Sequence, residues 1–397
     1  MKKVGFYPGS FDPFTKGHMA VVCEALQLFD KVIIAVGNNS EKKTMFDASK
    51  RIEMIKSSIQ DFKVTYLNRQ LSGAKFSPAE EKVARQIYEN LDGCIEVISY
   101  DGLTVDAAIK YEANCLVRGE RMVGDHDAEM QLAMFNRELL NLRGSSMGIV
   151  FIPVPSTNLT YVSSGNVKNL CANGEYIVAN KYVYPSVHKV LMEKYLEKRY
   201  KEQNFSLDKD EKWRSLVAQY ADPSRTYHNL SHIAYCLNII DIFMRKDRFS
   251  YREIAAVKSA LFYHDIVIKE CGAEEQSAEI AEKSLVADGK LLKSLIMSTK
   301  VGTQYEDIDL DVRHLVNLVH DADLAILADN ENYGLYAQQV RLEYDVDTKD
   351  YAKGRIEVLE KIKTEMIYFS EFADRLHWQD KAEDNINREI AFWQTRL

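Results

Sequence analysis

Five short apolar runs, all before residue 155, constrain this chain more than any other feature. "KVGFY" (3–7), "KVIIAVG" (31–37), "CIEVIS" (94–99), "NCLVRG" (114–119) and "GIVFIPV" (148–154) have the length and apolar content of buried strands. Helical spacing fills the intervals. Met19, Val22, Cys23, Leu26 and Phe29 recur three and four residues apart, and "SKRIEMIKSSI", "TVDAAIKYEA" and "DAEMQLAMFNRELL" follow. Strand, helix and strand in that order form a βαβ unit, so an open α/β parallel sheet is expected. Beyond the polar stretch "KEQNFSLDKDEK" (201–212) the strand signals fade. Residues 213–397 read as amphipathic helices over about 213–220, 229–245, 251–268, 274–286, 289–299, 311–328, 331–344, 348–368 and 373–395. A chain of 397 residues exceeds what one hydrophobic core organises. The expected division is 1–200, a linker at 201–212, and an all-α region at 213–397.

The net charge of -8 and the lack of a long basic run argue against nucleic acid as the main partner. A nucleotide needs only a local cluster of Arg and Lys. The six cysteines form no CxxC pair, as expected of reduced thiols in a cytoplasmic protein. The N-terminus "MKKVGFYPGSFDPF" lacks the apolar core of a signal peptide. No run of about 18 apolar residues suits a membrane span.

Three segments of the first half carry anion-binding chemistry. "GSFDPFTKGH" (9–18) joins a strand to a helix N-terminus, where free N–H groups and the dipole favour phosphate, and His18 can donate a hydrogen bond there. "RGERMVGDHDAE" (118–129) places Arg118 and Arg121 after a strand, and guanidinium forks suit phosphate. "YVSSGNVK" (161–168) offers Ser163 and Ser164 as helix caps or polyphosphate donors.

Together these segments resemble phosphopantetheine adenylyltransferase, a family of Rossmann-like nucleotidyltransferases. "YPGSFDPFTKGH" is similar to its [T/H]xGH signature, with Thr15 in the first place. "SEKKTMF" is similar to its basic loop, and "YVSSGNVK" to its ISSxxxR signature, with Lys168 in the arginine's place. The resemblance covers about residues 3–195. It implies transfer of AMP from ATP to 4′-phosphopantetheine, with Mg2+ accompanying ATP. By resemblance His18 and Lys42 are catalytic. Ser10, Phe11, Arg118 and Asn136 bind the acceptor, and Gly17, His18, Arg121, Glu129, Ser163 and Ser164 bind ATP. The family precedent also implies a homo-oligomer. Residues 63–93 replace a shorter family segment, and Glu120 stands where an apolar residue is usual.

In the second half, "RTYHNLSHI" puts His228 and His232 four apart. "FYHDIV" supplies His264-Asp265, and "VHDADLAIL" supplies Asp321 and Asp323. Imidazoles with carboxylates suit a divalent metal, and burying such charge without one is costly. The order H…HD…D resembles the HD superfamily of metal-dependent phosphohydrolases, as do "VRLEY" (340–344) and "YAKGR" (351–355). That resemblance implies His232, His264, Asp265 and Asp323 as ligands of one divalent metal (Mn2+, Mg2+, Fe2+ or similar), with Asp321 as rival for the last place. It further implies His228, Arg341 and Arg355 as phosphate contacts for an unidentified phosphoester. "STKVGTQYED" lacks the histidine pair that relatives carry after Thr-Lys. The expectation is a bifunctional enzyme. The alternative is an adenylyltransferase for another acceptor, such as nicotinamide mononucleotide, with a regulatory second region.

Overall fold

The computed structural model describes residues 2–38, 43–71, 91–120, 123–154, 162–203, 208–244, 248–268, 272–284, 289–300, 310–364 and 366–397. Contacts divide the chain into two compact units, Met1–Leu191 and Met192–Leu397.

In the first unit the strands β1 (Val4–Gly9), β2 (Lys31–Gly37), β3 (Ile95–Tyr100), β4 (Cys115–Glu120) and β5 (Gly148–Pro153) form one parallel sheet in the order β3-β2-β1-β4-β5. The central strands are buried on both faces, which explains their unbroken apolar runs. Phe6, Ile33 and Ala35 pack with Val105, Leu116 and Leu140 on one face. Tyr7, Ile34 and Val36 pack with Met19, Val22 and Ile55 on the other. The helices supplying those faces are α1 (Lys16–Leu28) and α2 (Ala48–Leu71) on the second, and α4 (Thr104–Lys110) and α5 (Val123–Leu142) on the first; a short α3 (Leu91–Cys94) leads into β3. The unit continues with α6 (Ser164–Ala172), α7 (Tyr176–Asn180) and the start of α8 (Pro185–Gln203). Strand order reverses between β1 and β4, so the loops leaving their carboxyl ends diverge and open the crevice that such sheets use for ligands.

The second unit contains the end of α8, then α9 (Lys209–Tyr220), α10 (Leu230–Phe243), α11 (Tyr251–Tyr263), α12 (Ala273–Ser284), α13 (Gly289–Met297) and α14 (Arg313–Leu324). A 3-10 turn (Ala325–Ala328), α15 (Tyr333–Leu342), α16 (Thr348–Lys363), α17 (Glu371–Arg375) and α18 (Trp378–Gln394) follow. Three elements differ from the sequence expectation. The helix expected over 251–268 stops at Tyr263, and Arg225 holds the chain beyond it by donating to the carbonyls of Asp265 and Ile266 at 2.6 and 2.8 Å. The helix expected over 373–395 is broken at His377, whose φ of 54° is left-handed. The expected linker is in part helical, since 201–203 end α8 and 209–212 open α9. Contacts divide at Leu191/Met192 because Tyr200, near the end of α8, belongs to the second unit's core. It packs on Trp213 and Phe262, and its hydroxyl lies 2.7 Å from that of Tyr263.

Candidate functional sites

In the first unit the loop between β1 and α1 is fixed by its own side chains. Phe11 adopts a φ of 48°, and its ring turns back over Gly9, where a Cβ would lie 2.7 Å from it. That ring is buried against Tyr7, Phe14 and His18. Its backbone, not its ring, is what this loop could offer a ligand. Thr15 caps α1, and His18 is the reciprocal member of the capping box. The Thr15 hydroxyl accepts from the His18 N–H at 3.3 Å, and His18 Nδ1 accepts from the Thr15 N–H at 3.0 Å. An Nδ1 that accepts a backbone N–H leaves the proton of the neutral ring on Nε2. Gly17 is buried beside it in the first turn.

Arg118 leaves β4 and pairs with Glu129 on α5, its Nε 2.6 Å from the carboxylate. Asn136 is buried on the same helix. Ser163 caps α6 by accepting from the Asn166 N–H at 3.0 Å. The Ser164 hydroxyl donates to the Pro13 carbonyl at 2.8 Å, tying α6 to the β1–α1 loop. The structure thus brings Ser10, Phe11, Gly17, His18 and Ser164 to one loop and its neighbour, and couples Arg118 to Glu129. Lys42 and Arg121 lie outside the described residues.

Two residues of this site have no role in the sequence reading. Asp12 is 3% exposed. It accepts from the Met45 and Phe46 N–H groups at 2.9 and 3.1 Å and pairs with Lys168 at 2.9 Å. Arg51, 1% exposed, donates to the carbonyls of Ser10 (2.7 Å), Gly37 (3.0 Å) and Phe46 (3.1 Å). A sequence signal for Arg51 exists: it shares the buried face of α2 with Met54, Ile55, Ser58 and Ile59 at helical spacing.

In the second unit α10, α11 and α14 pack together and converge on a cluster of four side chains. His232 lies in the first turn of α10, His264 caps the end of α11 with Asp265 just beyond, and Asp323 ends α14. One ligand atom from each lies within 4.8 Å of all the others. His232 Nε2 is 2.9 Å from Asp323 and 3.4 Å from Asp265. His264 Nε2 is 3.1 Å from Asp323 and 3.2 Å from Asp265. The two Nε2 atoms are 3.1 Å apart. His264 Nδ1 lies 3.0 Å from the Leu261 carbonyl, which fixes its proton there and turns the lone pair of Nε2 into the cluster. Burial opposes charge on His264, but Asp265 and Asp323 outweigh it and raise its pKa well above the ordinary histidine value. Burial likewise pushes Asp323 upward, and the two imidazoles override it and hold it below the carboxylate range. The cluster demands positive charge at its centre, and two imidazoles with two carboxylates are a donor set that a divalent transition metal or Mg2+ fits.

Asp321 is elsewhere. Its carboxylate accepts from the Phe369 N–H at 3.0 Å and the Ser370 N–H at 2.7 Å. His228, 29% exposed in its side chain, is held through Nδ1 by Glu343 at 2.6 Å, and the second Glu343 oxygen accepts the amides of Tyr227 and His228. Its ring centroid is 5.9 Å from that of His232. The two arginines expected beside it have other partners. Arg341 donates to the Tyr344 and Val346 carbonyls, each at 2.8 Å. Arg355 is buried and pairs bidentately with Glu389 at 2.9 and 3.1 Å; Glu389 also accepts from Tyr333 and Trp393. Arg225 and Glu343, which hold the backbone around the cluster, are absent from the sequence reading. Glu343 shares a buried helical face with Tyr333, Tyr336 and Val340, which is the signal that points to it. A groove of about 660 Å³ between α15 and α18, lined by Arg341, Asn385, Glu389, Phe392 and Trp393 among others, shares no residue with the four-residue cluster.

A cytidylyltransferase-like family model matches residues 6–169. The phosphopantetheine adenylyltransferase of Clostridium perfringens is 37% identical over 174 residues, 44% of this chain and 85% of that protein. That of Pelagibacter ubique is 39% identical over 141 residues, 36% of this chain and 71% of that protein. The structure of Plasmodium falciparum nicotinic acid mononucleotide adenylyltransferase complexed with NaAD is 17% identical, covers 49% of this chain and 96% of that one, and gives a TM-score of 0.27. Among the described residues no helix is long and apolar enough to cross a membrane.

Proposed function

We propose, from the premise that this chain belongs to the phosphopantetheine adenylyltransferase family, that its first unit transfers AMP from ATP to 4′-phosphopantetheine. An oxygen of the 4′-phosphate attacks the α-phosphorus of ATP, the bond to the bridging β-phosphate oxygen breaks, and pyrophosphate leaves; Mg2+ accompanying ATP would neutralise part of its charge. The products are dephospho-coenzyme A and pyrophosphate. The reaction needs positioning and charge stabilisation rather than a covalent intermediate. The observation that carries this reading is the Thr15–His18 capping box. It holds the imidazole in the tautomer with a proton on Nε2, at a helix N-terminus beside the sheet's switch point. In this reading His18 stabilises the α-phosphate in the transition state, and Lys42 and Arg118 hold the acceptor phosphate with Ser10. Arg121, Glu129, Ser163 and Ser164 hold ATP, with Arg118 exchanging its Glu129 partner for phosphate oxygens. Asn136 contacts the pantetheine arm. The test is pyrophosphate release from ATP with 4′-phosphopantetheine, compared with His18→Ala. Release only with nicotinamide mononucleotide would replace the acceptor and leave the transferase standing.

For the second unit the proposal is a single divalent metal held by His232, His264, Asp265 and Asp323, serving phosphoester hydrolysis of the HD type. A metal there would lower the pKa of a bound water and draw charge from a phosphate ester. This chain's part is to orient the ligands through Leu261, Arg225 and Glu343, and to present His228 to the phosphate. Metal analysis of the purified protein tests it, and two metals per chain would refute it. Hydrolysis absent across a phosphoester panel, with altered transfer kinetics on deleting 207–397, would favour a regulatory role.

A further inference from the structure

The buried carboxylate of Asp12 joins three parts of the adenylyl-transfer site that are distant in sequence. It leaves the β1–α1 loop six residues before His18 and accepts the amides of Met45 and Phe46. It also takes the ammonium of Lys168 from α6, the helix that Ser163 caps. Arg51 closes the same ring from the other side, binding the carbonyls of Ser10, Gly37 and Phe46. Residues 43–46 have no regular secondary structure, so side-chain partners set their position. A buried charge with three well-placed donors is costly to assemble and strongly fixes geometry once assembled.

We propose that Asp12 is a positioning residue for adenylyl transfer. It sets the register of residues 45–46 and of α6 against His18, and touches neither substrate. The proposal rests on the transferase reading of the first unit. Displacement of a reacting group by about 1 Å costs about 10²-fold in rate. Asp12→Asn should therefore lower kcat by about that factor, with KM for ATP within about threefold of wild type. Hydrogen exchange should quicken at the Met45 and Phe46 amides and remain unchanged in β2 and β4. Asp12→Glu keeps the charge and the Lys168 partner but moves the oxygens by one methylene, and should show the same pattern if Asp12→Asn does not fold. Wild-type kcat in either folded variant, or unchanged exchange at residues 45–46, overturns the proposal. A wild-type protein that releases no pyrophosphate with any acceptor sinks the transferase reading instead; the exchange data then still decide whether Asp12 holds this segment.

Discussion

In the first unit the candidate groups are hydrogen-bond donors and cations: the α1 N-terminus, the His18 imidazole, the Lys168 ammonium and the Arg118 guanidinium. Around His264 they are acceptors: two carboxylates and two imidazole nitrogens facing inward. The first arrangement suits an anion that arrives and leaves, and its cations are paired with Asp12 and Glu129. The second suits a small cation that stays. The supports differ too. Unit one uses backbone geometry at a strand–helix loop, whereas unit two uses side chains from three helices locked by carbonyls. One fold family provides a place for phosphate before any side chain is chosen. The helical unit provides none until specific residues meet.

The sharpest way to break this contrast is Arg355. If it served a phosphate, replacing it would spare the fold. The pair with Glu389 predicts instead that Arg355→Met costs about 3–5 kcal/mol, because it strands a buried carboxylate. Thermal or urea unfolding measures this, and wild-type stability would return Arg355 to the phosphate role. The same pair has a pH signature. Burial pushes Glu389 up, but Arg355, Tyr333 and Trp393 outweigh it and lower its pKa. Its contribution is then present above the ordinary glutamate value of about 4.3 and lost as pH falls below it. Wild type should lose stability in that window, and the variant should lose less.

Next in size is the donor side of the comparison. His18→Ala should lower kcat for transfer by about 10²–10³-fold, as removal of one preorganised donor does elsewhere, with KM little changed. A tenfold loss or less would assign the stabilisation to another group. His264→Ala should abolish stoichiometric metal in a purified sample while leaving transfer intact, as read by elemental analysis and pyrophosphate release. Asp321→Ala should instead cost stability and spare the metal. It leaves the Phe369 and Ser370 amides unsatisfied at about 1–3 kcal/mol, and metal content should stay at wild type. Metal lost in Asp321→Ala would exchange the roles of Asp321 and Asp323. Smallest is Ser163→Ala, about 1 kcal/mol if it is only a cap. A large rise in KM for ATP at that modest cost would separate ligand binding from capping.

Much of the fold was legible because strands buried on both faces leave unbroken apolar runs. β2 was expected at the residues where it lies, 31–37, and each of the other four starts within one residue of its expected start. The helical spacing after residue 212 was as clear, but its stops were not. α11 ends early, and the chain after it is held by Arg225, distant in sequence, which no local pattern encodes. Site residues followed the same rule. His18 and the H…HD…D order were visible as motifs. Asp12 sat inside a motif without a role, since its partners come from residues 45, 46 and 168. Arg341 and Arg355 have partners that the sequence could not show, for a general reason. A sequence shows that an arginine exists, whereas only packing shows that a carbonyl or a glutamate already holds it.

The helix α8 has a practical consequence for separating the two units. A cut in the polar stretch at 201–212 looks safe by composition. It would part Tyr200 from the phenol of Tyr263 and from Trp213, leaving a hole in the helical bundle and a large aromatic ring stranded on the other fragment. A soluble, independently expressed C-terminal piece should therefore begin near Met192, at the change of core rather than at the change of hydrophilicity.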